Sequence, residues 1–201
     1  MSKAAGTRQR ILDSARALIH ARSYHDVGVL QMCAQAGVQK GSFYHYFASK
    51  QALGLEVLDE MWAAENRDVI SPAYDARLTP VGRIARHAQL RHDVSERERE
   101  EGGHVLGCPF GGLATEISGQ NNVLREKLTG IFALLHGRIE NALVDAVGTG
   151  DVPALDTSTV ASVLLSQLQG AGVLAVVHND PGPYLSLAGS AERVVLALAS
   201  A

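Results

Sequence analysis

The chain has 201 residues and a mass of 21.3 kDa, with 46% hydrophobic and 19% charged residues. This composition is typical of a globular protein with a sizeable core, and it excludes a wholly disordered or fibrous chain. The net charge of −3 is unevenly distributed: residues 1–55 hold seven Lys or Arg against two Asp (+5), whereas residues 56–201 hold eleven against nineteen acidic residues (−8). A basic N-terminal segment (the head, residues 1–55) on an otherwise acidic chain suggests an anionic partner such as nucleic acid. Without a motif that supports such a partner, the alternative is a basic surface that only faces solvent.

The sequence also bears on the compartment. The stretch from Thr157 to Asn179 carries no Asp, Glu, Lys or Arg, but Ser, Gln, Gly and His interrupt it, so we interpret it as a buried helix and not as a membrane span. The first ten residues lack the apolar run of a signal peptide. Two cysteines, Cys33 and Cys108, suit a reducing compartment and are too few for a zinc site unless histidines join them. We expect a cytoplasmic protein without a metal or a membrane partner.

The first 50 residues predict three helices. A first helix from Thr7, its cap, to Arg22 is indicated by apolar residues at three- and four-residue spacing, namely Ile11, Leu12, Ala15, Leu18 and Ile19. A short second helix begins at Gly28 and ends at Gly37, a residue suited to the left-handed conformation that follows a helix. A third helical segment follows over residues 39–47.

The third segment carries aromatic residues on two sides. Phe43 and Phe47 are four residues apart and are expected in the core, so Tyr44 and His45 point elsewhere. Two short helices joined by a turn that contains glycine, packed on a longer first helix, are the helix-turn-helix arrangement, in which the second short helix enters the major groove. Ser49 is expected to cap a fourth helix.

At these residues the sequence resembles a known family. The run Ala34-Gln-Ala-Gly-Val-Gln-Lys-Gly-Ser-Phe-Tyr-His-Tyr-Phe-Ala-Ser-Lys50, followed by Gln51-Ala-Leu53, is similar to the DNA-binding domain of the TetR/AcrR repressors, whose signature is close to A-G-V-S-K-G-T-L-Y-H-Y-F-x-S-K-x-x-L. The resemblance covers about residues 7–60. It implies an all-α fold: an N-terminal helix-turn-helix three-helix domain over residues 1–50, then a larger helical ligand-binding and dimerisation domain over residues 51–201, with the fourth helix linking the two.

The resemblance also implies a function, a dimeric repressor that binds double-stranded operator DNA and is released by a small-molecule inducer. The residues that we expect to face DNA share polar side chains or close backbone access. Candidates for base edges are Gln39, Lys40, Ser42, Tyr44 and His45, with Gly41 allowing close approach, and candidates for phosphate are Tyr46 and Lys50. Gly28 stands where the family often has Ser or Thr, so a side-chain cap is missing there.

The sequence after the helix-turn-helix residues predicts further helices. The fourth helix is expected to run toward Ile70 and to end at Pro72, and later ones to span Pro80–Val94, Val123–Val147, a segment opened by Asp156 or Thr157, and Leu185–Leu198. The charged run Ser95–Gly103 is interpreted as a mobile connector or a frayed helix end. An apolar stripe runs from Val160 to Val177, and the final helix is also apolar. Together with the family resemblance, these helices suggest a four-helix dimer interface. The alternative is that they are buried within one subunit.

A second segment suggests the inducer. Cys108 precedes Pro109, a residue favoured at the first helical position, so its thiol is expected near a helix N-terminus, where the thiolate is favoured. The run Gly107-Cys-Pro-Phe-Gly-Gly-Leu-Ala-Thr-Glu-Ile-Ser118 resembles an electrophile-sensing, NemR-like branch of the family, with Gly112 where that branch has Asn. It implies regulation by a reactive or oxidising small molecule at Cys108. We expect His104, four residues upstream, and Phe110 at the same ligand or redox site; His104 either adds positive charge when protonated or points to water. The alternative is that Cys108 only lines a non-covalent ligand pocket.

An enzyme is the competing class. Cys108 as nucleophile with His104 as base would be a thiol enzyme, but the sequence offers no third orienting group and no oxyanion device, and the helix-turn-helix is left unexplained. DNA binding without turnover of an electrophile separates the two classes. No phosphate-binding loop, dinucleotide-binding glycine turn or CxxC spacing is present, so no cofactor is implied and no catalytic residue is assigned.

Overall fold

The computed structural model describes residues 3–117, 119 and 121–199, and throughout these the regular structure is helical. The α-helices are α1 (Lys3–Ala21), α2 (Val29–Ala36), α3 (Lys40–Tyr46), α4 (Lys50–Glu65), α5 (Ser71–Ala73), α6 (Pro80–Gly102), α7 (Gly111–Ile117), α8 (Asn122–Thr149), α9 (Thr157–His178), α10 (Gly182–Ala188) and α11 (Ala191–Ala199). A π-helical turn, Asn66–Ile70, joins α4 to α5. The all-α prediction is confirmed.

The chain forms two compact units. The first comprises residues 1–64 and 109–129, and the second comprises residues 65–108 and 130–201. The first unit therefore combines α1 to α4 with α7, and the second contains α5, α6, α9, α10 and α11. The long helix α8 contributes its beginning to the first unit and its remainder to the second.

The helix-turn-helix elements lie in the first unit, where α1 packs on α2 and α2 on α3. Ser14 on α1 donates a buried hydrogen bond of 2.9 Å to the carbonyl of Met32 on α2. Gly37 ends α2 with a φ of 65°, in the left-handed region that the sequence predicted. Phe43 and Phe47 are 0% and 2% exposed, which confirms them as core.

The start of α2 compensates for its missing side-chain cap. Gly28 has no side chain to offer, but Gln31 accepts a hydrogen bond of 2.8 Å from the backbone N–H of Gly28 through its Oε1 atom. This satisfies one of the donors that a helix start leaves without a partner. The substitution of Gly for a capping residue is therefore compatible with a well-formed α2.

Two predicted helix ends in the first half of the chain are wrong. The first helix begins at Lys3, so Thr7 lies inside it and does not cap it, because Ala4 and Ala5 favour extension of the helix. The fourth helix ends at Glu65, earlier than predicted, and helical structure continues through the π-helical turn into α5, so Pro72 does not stop it. Pro72 lies in the first turn of α5, where a helix needs no backbone N–H from it. The predicted cap by Ser49 is confirmed by a 3.0 Å hydrogen bond from Ala52 N to Ser49 Oγ.

The charged segment Ser95–Gly103 is also not a connector, since α6 continues to Gly102 and Gly103 closes it with a φ of 79°. Ser95 is fully buried, Arg99 forms an ion pair with Glu96, and the carboxylate of Glu98 accepts a 3.1 Å hydrogen bond from Leu106 N. The alternation of charges thus reflects one exposed face of a regular helix and the anchoring of the loop behind it.

The core of the second unit is built on α6, α8 and α9. Its larger cluster of buried residues consists of Ile84, Ile139, Ala142, Leu143, Ala146, Val152, Val160, Ala161, Leu164, Ala191 and Val195. Asp156 caps α9 as predicted, accepting a hydrogen bond of 3.1 Å from Thr159 N. The predicted last helix is in fact two, α10 and α11, separated at Gly189 and Ser190. Both short helices pack on α6.

Helix α9 is long and apolar enough to cross a membrane by length and composition. In the structure it serves as a core helix of the second unit, because seven of its side chains or backbone positions are buried there: Val160, Ala161, Leu164, Leu168, Ala171, Gly172 and Ala175. The prediction of a buried helix is therefore confirmed at these positions, whereas Val173, Leu174, Val176 and Val177 near its end are exposed.

Candidate functional site

The outward face of α3 carries the residues predicted to contact DNA. Gln39, Lys40, Gly41, Tyr44 and His45 are exposed, and Ser42, Tyr46 and Lys50 are half-buried. A Cβ atom placed on Gly41 would meet nothing within 4 Å, so the backbone there is open to an approaching surface.

The aromatic residues of α3 hold this face in place. The ring of Phe43 lies 5.1 Å from that of Tyr44 and 5.6 Å from that of Phe47, measured between centroids. Arg8 on α1 stacks over Phe47 at 5.1 Å and forms an ion pair with Glu56 on α4. The recognition face is thus supported by buried rings and by a cation–π contact, which restricts its movement relative to α1 and α4.

Lys50 begins α4 beside the turn that joins α1 to α2. Its Nζ atom lies 3.4 Å from the carbonyl oxygen of His25 and 4.5 Å from the centroid of the Tyr24 ring. Burial lowers the pKa of Lys50, and the carboxylates of Glu116 and Asp26 oppose that effect. The ammonium group is therefore held at a defined place on the head.

Glu116 on α7, which was not among the residues predicted from the sequence, binds the same turn. Its carboxylate accepts hydrogen bonds from Ser23 Oγ (2.6 Å), Tyr24 N (3.1 Å) and His25 N (2.6 Å). Although burial opposes the effect, these three bonds lower the pKa of Glu116. The segment that follows Cys108 in the chain therefore contacts the same turn as Lys50. An acidic residue within the quoted motif was the available signal, but the turn is 92 residues away in sequence.

The residues predicted for ligand sensing fall in different units. Cys108 and His104 lie in the loop of the second unit before α7, where Cys108 is half-buried and His104 is exposed. Phe110 belongs to the first unit, is 0% exposed and lies 6.2 Å from the Trp62 ring. Ser118, quoted in the motif, lies outside the described residues.

The helix after Cys108 begins later than predicted. Helix α7 starts at Gly111, and its first backbone bond runs from Ala114 N to Phe110 O, so Phe110 is the residue before the helix and Pro109 lies in the preceding turn. Helix α7 is also only seven residues long. The expected activation of the thiol by a helix N-terminus therefore has little support, because the effect falls off within the first turn.

The structure instead reveals a buried cation that contacts the residue before Cys108. Arg91 on α6 is 3% exposed, forms an ion pair of 2.9 Å with Glu65, and donates from Nη2 to the carbonyl of Gly107 at 2.5 Å. Arg91 continues the buried face of α6 that includes Ile84, Ala88 and Ser95. An arginine at helical spacing on an apolar face was the sequence signal for this site, but its partners could not be inferred.

An apolar cleft in the first unit is a second place where a small molecule could bind. It is lined by Ile19, Tyr24, Gly54, Val57, Leu58, Leu113, Ile117 and Leu124. Its space is about 200 Å³ with the open mouth included, which is less than the roughly 300 Å³ at which pockets for drug-sized ligands begin. Among the described residues no group of three or more His, Cys, Asp or Glu side chains is placed to hold a metal ion.

Comparison with protein families gives two matches that together cover most of the chain. Residues 11–57 match the model for bacterial regulatory proteins of the tetR family. Residues 80–188 match the model for the tetracyclin repressor-like C-terminal domain. The first match contains α2 and α3, and the second contains α6, α7, α8, α9 and α10.

The individual proteins to which the chain is similar are also transcriptional regulators. The chain is 28% identical over 177 residues to the HTH-type transcriptional repressor DhaR of Mycobacterium sp. (strain GP1), covering 88% of this chain and 85% of that protein. It is 28% identical over 144 residues to the HTH-type transcriptional repressor NemR of Escherichia coli (strain K12), covering 67% and 68%. The fold is similar to that of a TetR transcriptional regulator from Chloroflexus aurantiacus, with a TM-score of 0.84, 23% identity and 96% coverage of each chain. It is also similar to E. coli NemR in its reduced form, with a TM-score of 0.78, 21% identity and coverage of 94% and 97%.

Proposed function

Since the chain belongs to the TetR family of bacterial transcriptional regulators, we propose that it is a homodimeric repressor whose two copies of α3 bind the half-sites of one double-stranded operator. The observation that carries this proposal is the polar, exposed face of α3 on a basic head, supported from behind by buried Phe43 and Phe47. In a helix-turn-helix dimer such faces enter successive major grooves about 34–36 Å apart. The protein is then a cytoplasmic regulator without enzymatic turnover.

Lys50 provides the test of the DNA contact. Replacing Lys50 by Ala removes one phosphate contact per subunit, so affinity should fall by a similar factor for all sequences and the slope of log Kd against log salt should flatten by about one unit per contact. Replacing Tyr44 or Ser42 should instead change the sequence preference. Selection of bound DNA, followed by anisotropy titrations between low and high salt, measures both.

Arg97→Ala is the matched control, because Arg97 is an exposed cation on α6 in the second unit. It should leave the salt slope of the parent unchanged. Equal slopes for Lys50→Ala and the parent would remove Lys50 from the phosphate contacts.

The inducer site is proposed at Cys108. Cys108 is half-buried, whereas Cys33 is 2% exposed and burial raises its pKa against the opposing charge of Lys40, which keeps that thiol protonated. A reactive electrophile or oxidant should therefore modify Cys108 first. The signal would reach the head through α4, which starts at Lys50 and whose pivoting changes the spacing of the two recognition helices.

N-ethylmaleimide is a suitable probe of this switch. The parent should leave its operator after treatment, whereas Cys108→Ser should bind the operator equally well and stay bound. Mass spectrometry should find Cys108 labelled before Cys33. Release of the Ser variant at the same dose, or earlier labelling of Cys33, would remove Cys108 as the sensor, and the apolar cleft lined by Leu58 and Leu124 would then be the place to seek a non-covalent ligand.

A further inference from the structure

The surroundings of Cys108 contain a charge cluster that the proposed function does not use. Gly107, directly before Cys108, has a φ of 75°, and a Cβ atom there would lie 2.8 Å from Val176 Cγ2 and 3.2 Å from the carbonyl oxygen of Gly172. The loop is therefore pressed against α9 at a position that only glycine suits. On its other side the Gly107 carbonyl accepts the bond from Arg91, so both contacts determine where Cys108 lies.

Tyr184 reaches the same place from α10. A Cβ atom on Gly172 would lie 2.7 Å from the Tyr184 hydroxyl and 3.5 Å from the backbone nitrogen of Cys108. Tyr184 is 1% exposed, and within the part of the chain that the structure describes the Nε atom of Arg91 is buried without a hydrogen-bond partner. A buried guanidinium N–H without an acceptor is costly, so its presence next to the loop that carries Cys108 favours an anionic group there.

The groups around Cys108 are one permanent cation and two titratable side chains whose pKa is raised by burial. Arg91 is a permanent cation, and although burial opposes it, the carboxylate of Glu65 raises the pKa of its guanidinium. Burial raises the pKa of Tyr184 and that of Glu98, the carboxylate that holds the loop at Leu106.

Two histidines lie close to this cluster along the chain. His87, one turn before Arg91 on α6, is neutral near pH 7 because burial and the charge of Arg91 lower its pKa to about 3. His104, in the same loop as Cys108, is exposed to solvent. Arg91 is therefore the one permanent positive charge among these neighbours of Cys108.

We propose that Arg91 is the positioning residue that holds Cys108 as a thiolate, and that Glu65 sets how strongly it does so by sharing the same guanidinium group. The proposal rests on the function proposed for Cys108. The thiol gives its proton to solvent, and the sulfur then forms a bond with the electrophilic carbon. With a maleimide the carbon–carbon double bond opens and takes up a proton from water, and with iodoacetamide the carbon–iodine bond breaks and iodide leaves.

This arrangement predicts opposite effects for the two partners of one ion pair. Removing the charge of Arg91 leaves the thiolate without its counter-ion, so less of it forms at neutral pH. Removing the charge of Glu65 leaves the guanidinium group in place but no longer partly neutralised, so more thiolate forms. A purely structural ion pair has a different signature, because breaking it from either side loosens the same loop.

The test measures the rate of alkylation by iodoacetamide from pH 5 to pH 10 in a Cys33→Ala background, where Cys108 is the single thiol. At pH 7 Arg91→Gln should react about tenfold more slowly and Glu65→Gln about threefold faster, with the titration midpoint moving up in the first and down in the second. The plateau rate at high pH should be similar in all variants, since it reports access to the sulfur and not its charge.

Arg97→Gln makes the same chemical change at an exposed position of α6 and should leave the midpoint of the parent unchanged. Arg91→Lys retains a cation and should fall between the parent and Arg91→Gln, and it remains informative if the Gln variant fails to fold. Midpoints that move in the same direction in both Gln variants, or changes confined to the plateau, would overturn the proposal. Operator binding after alkylation is a separate measurement: if alkylated protein stays on its operator, the sensing function fails while the role of Arg91 is still decided by the pH profile.

Discussion

Arg91 and His87 lie one turn apart on α6, and burial affects the two side chains in different ways. Arg91 keeps its charge because Glu65 and the carbonyl of Gly107 provide partners for the guanidinium group. His87 has no acidic partner in the described contacts, and its Nδ1 atom lies 3.1 Å from the hydroxyl of Tyr74. A neutral imidazole satisfies that hydroxyl at a lower desolvation cost than a charged one would.

His87 should therefore make stability depend on pH. Its pKa in the folded chain is about 3, against an ordinary value of 6.5, so the unfolded chain binds the proton more readily and stability falls as the pH drops below 6.5. The contribution is about 2 kcal/mol between pH 7 and pH 5. Urea unfolding at several pH values should give a shallower pH dependence for His87→Gln than for the parent. Parallel curves would show that His87 is already accessible to protons in the folded state.

Helix α7 is short, and it contacts parts of the first unit that are distant from it in sequence. Seven residues are too few for a helix that is stable alone, so its tertiary contacts must hold it. Leu113 and Ile117 are buried, and Glu116 binds the turn Ser23–His25 by three hydrogen bonds. A carboxylate that accepts several N–H and O–H bonds makes a strong contact, because bonds to a charged acceptor contribute more than neutral ones.

Glu116→Gln tests this contact. The amide keeps the size of the side chain but loses the charge, so we expect the free energy of unfolding to fall by about 1–3 kcal/mol and the amides of Tyr24 and His25 to exchange faster with solvent. Because the three bonds lower the pKa of Glu116, its stabilisation is complete above pH 4.5 and is lost as the pH falls through the lower value of the folded state. Hydrogen exchange read by mass spectrometry or NMR measures the effect at the turn.

Glu126→Gln is the matched control, because Glu126 is an exposed carboxylate on α8 in the first unit. It should leave exchange at the turn unchanged. Unchanged protection of Tyr24 and His25 in Glu116→Gln itself would mean that the turn is held by other contacts, such as that of Lys50 with His25.

The second unit presents an apolar surface at the end of α9 and on the helices that follow. The exposed residues are Val173 (63%), Leu174 (50%), Val176 (46%), Val177 (72%), Leu185 (40%) and Leu196 (38%). By contrast Leu168, in the same stripe of α9, is 7% exposed and belongs to a core cluster with Ala175 and Tyr184. One part of the stripe is thus covered within the subunit, and the other part suits the dimer interface that we propose.

Val177→Glu should separate the dimer. A carboxylate at the centre of an apolar interface loses its hydration without gaining a partner, so the dimer should weaken by at least tenfold and operator affinity should fall with it. Val177→Thr, which has nearly the same shape and no charge, should have a smaller effect. Sedimentation at several concentrations measures the equilibrium. A dimer of unchanged strength in Val177→Glu would place the interface elsewhere, for example on α8 at Leu134 and Val144, which are also exposed.

Features that depend on neighbouring residues could be predicted from the sequence. Helical spacing identified the buried side of α3 at Phe43 and Phe47, and the left-handed residue at Gly37 and the cap at Asp156 followed from residue type. The signature from Ala34 to Lys50 identified the family for the same reason, since all of its residues lie within about five turns of chain.

Contacts between residues that lie far apart in the chain could not be predicted in this way. Glu116 contacts Tyr24 across 92 residues, and Arg91 pairs with Glu65 across 26. The break between α10 and α11 and the covered part of the α9 stripe likewise depend on which helices pack together. Periodicity indicates which face of a helix is apolar but not which element covers that face, because burial depends on how the helices pack together. A charged side chain likewise becomes a core residue only where a partner from elsewhere in the chain stabilises its charge.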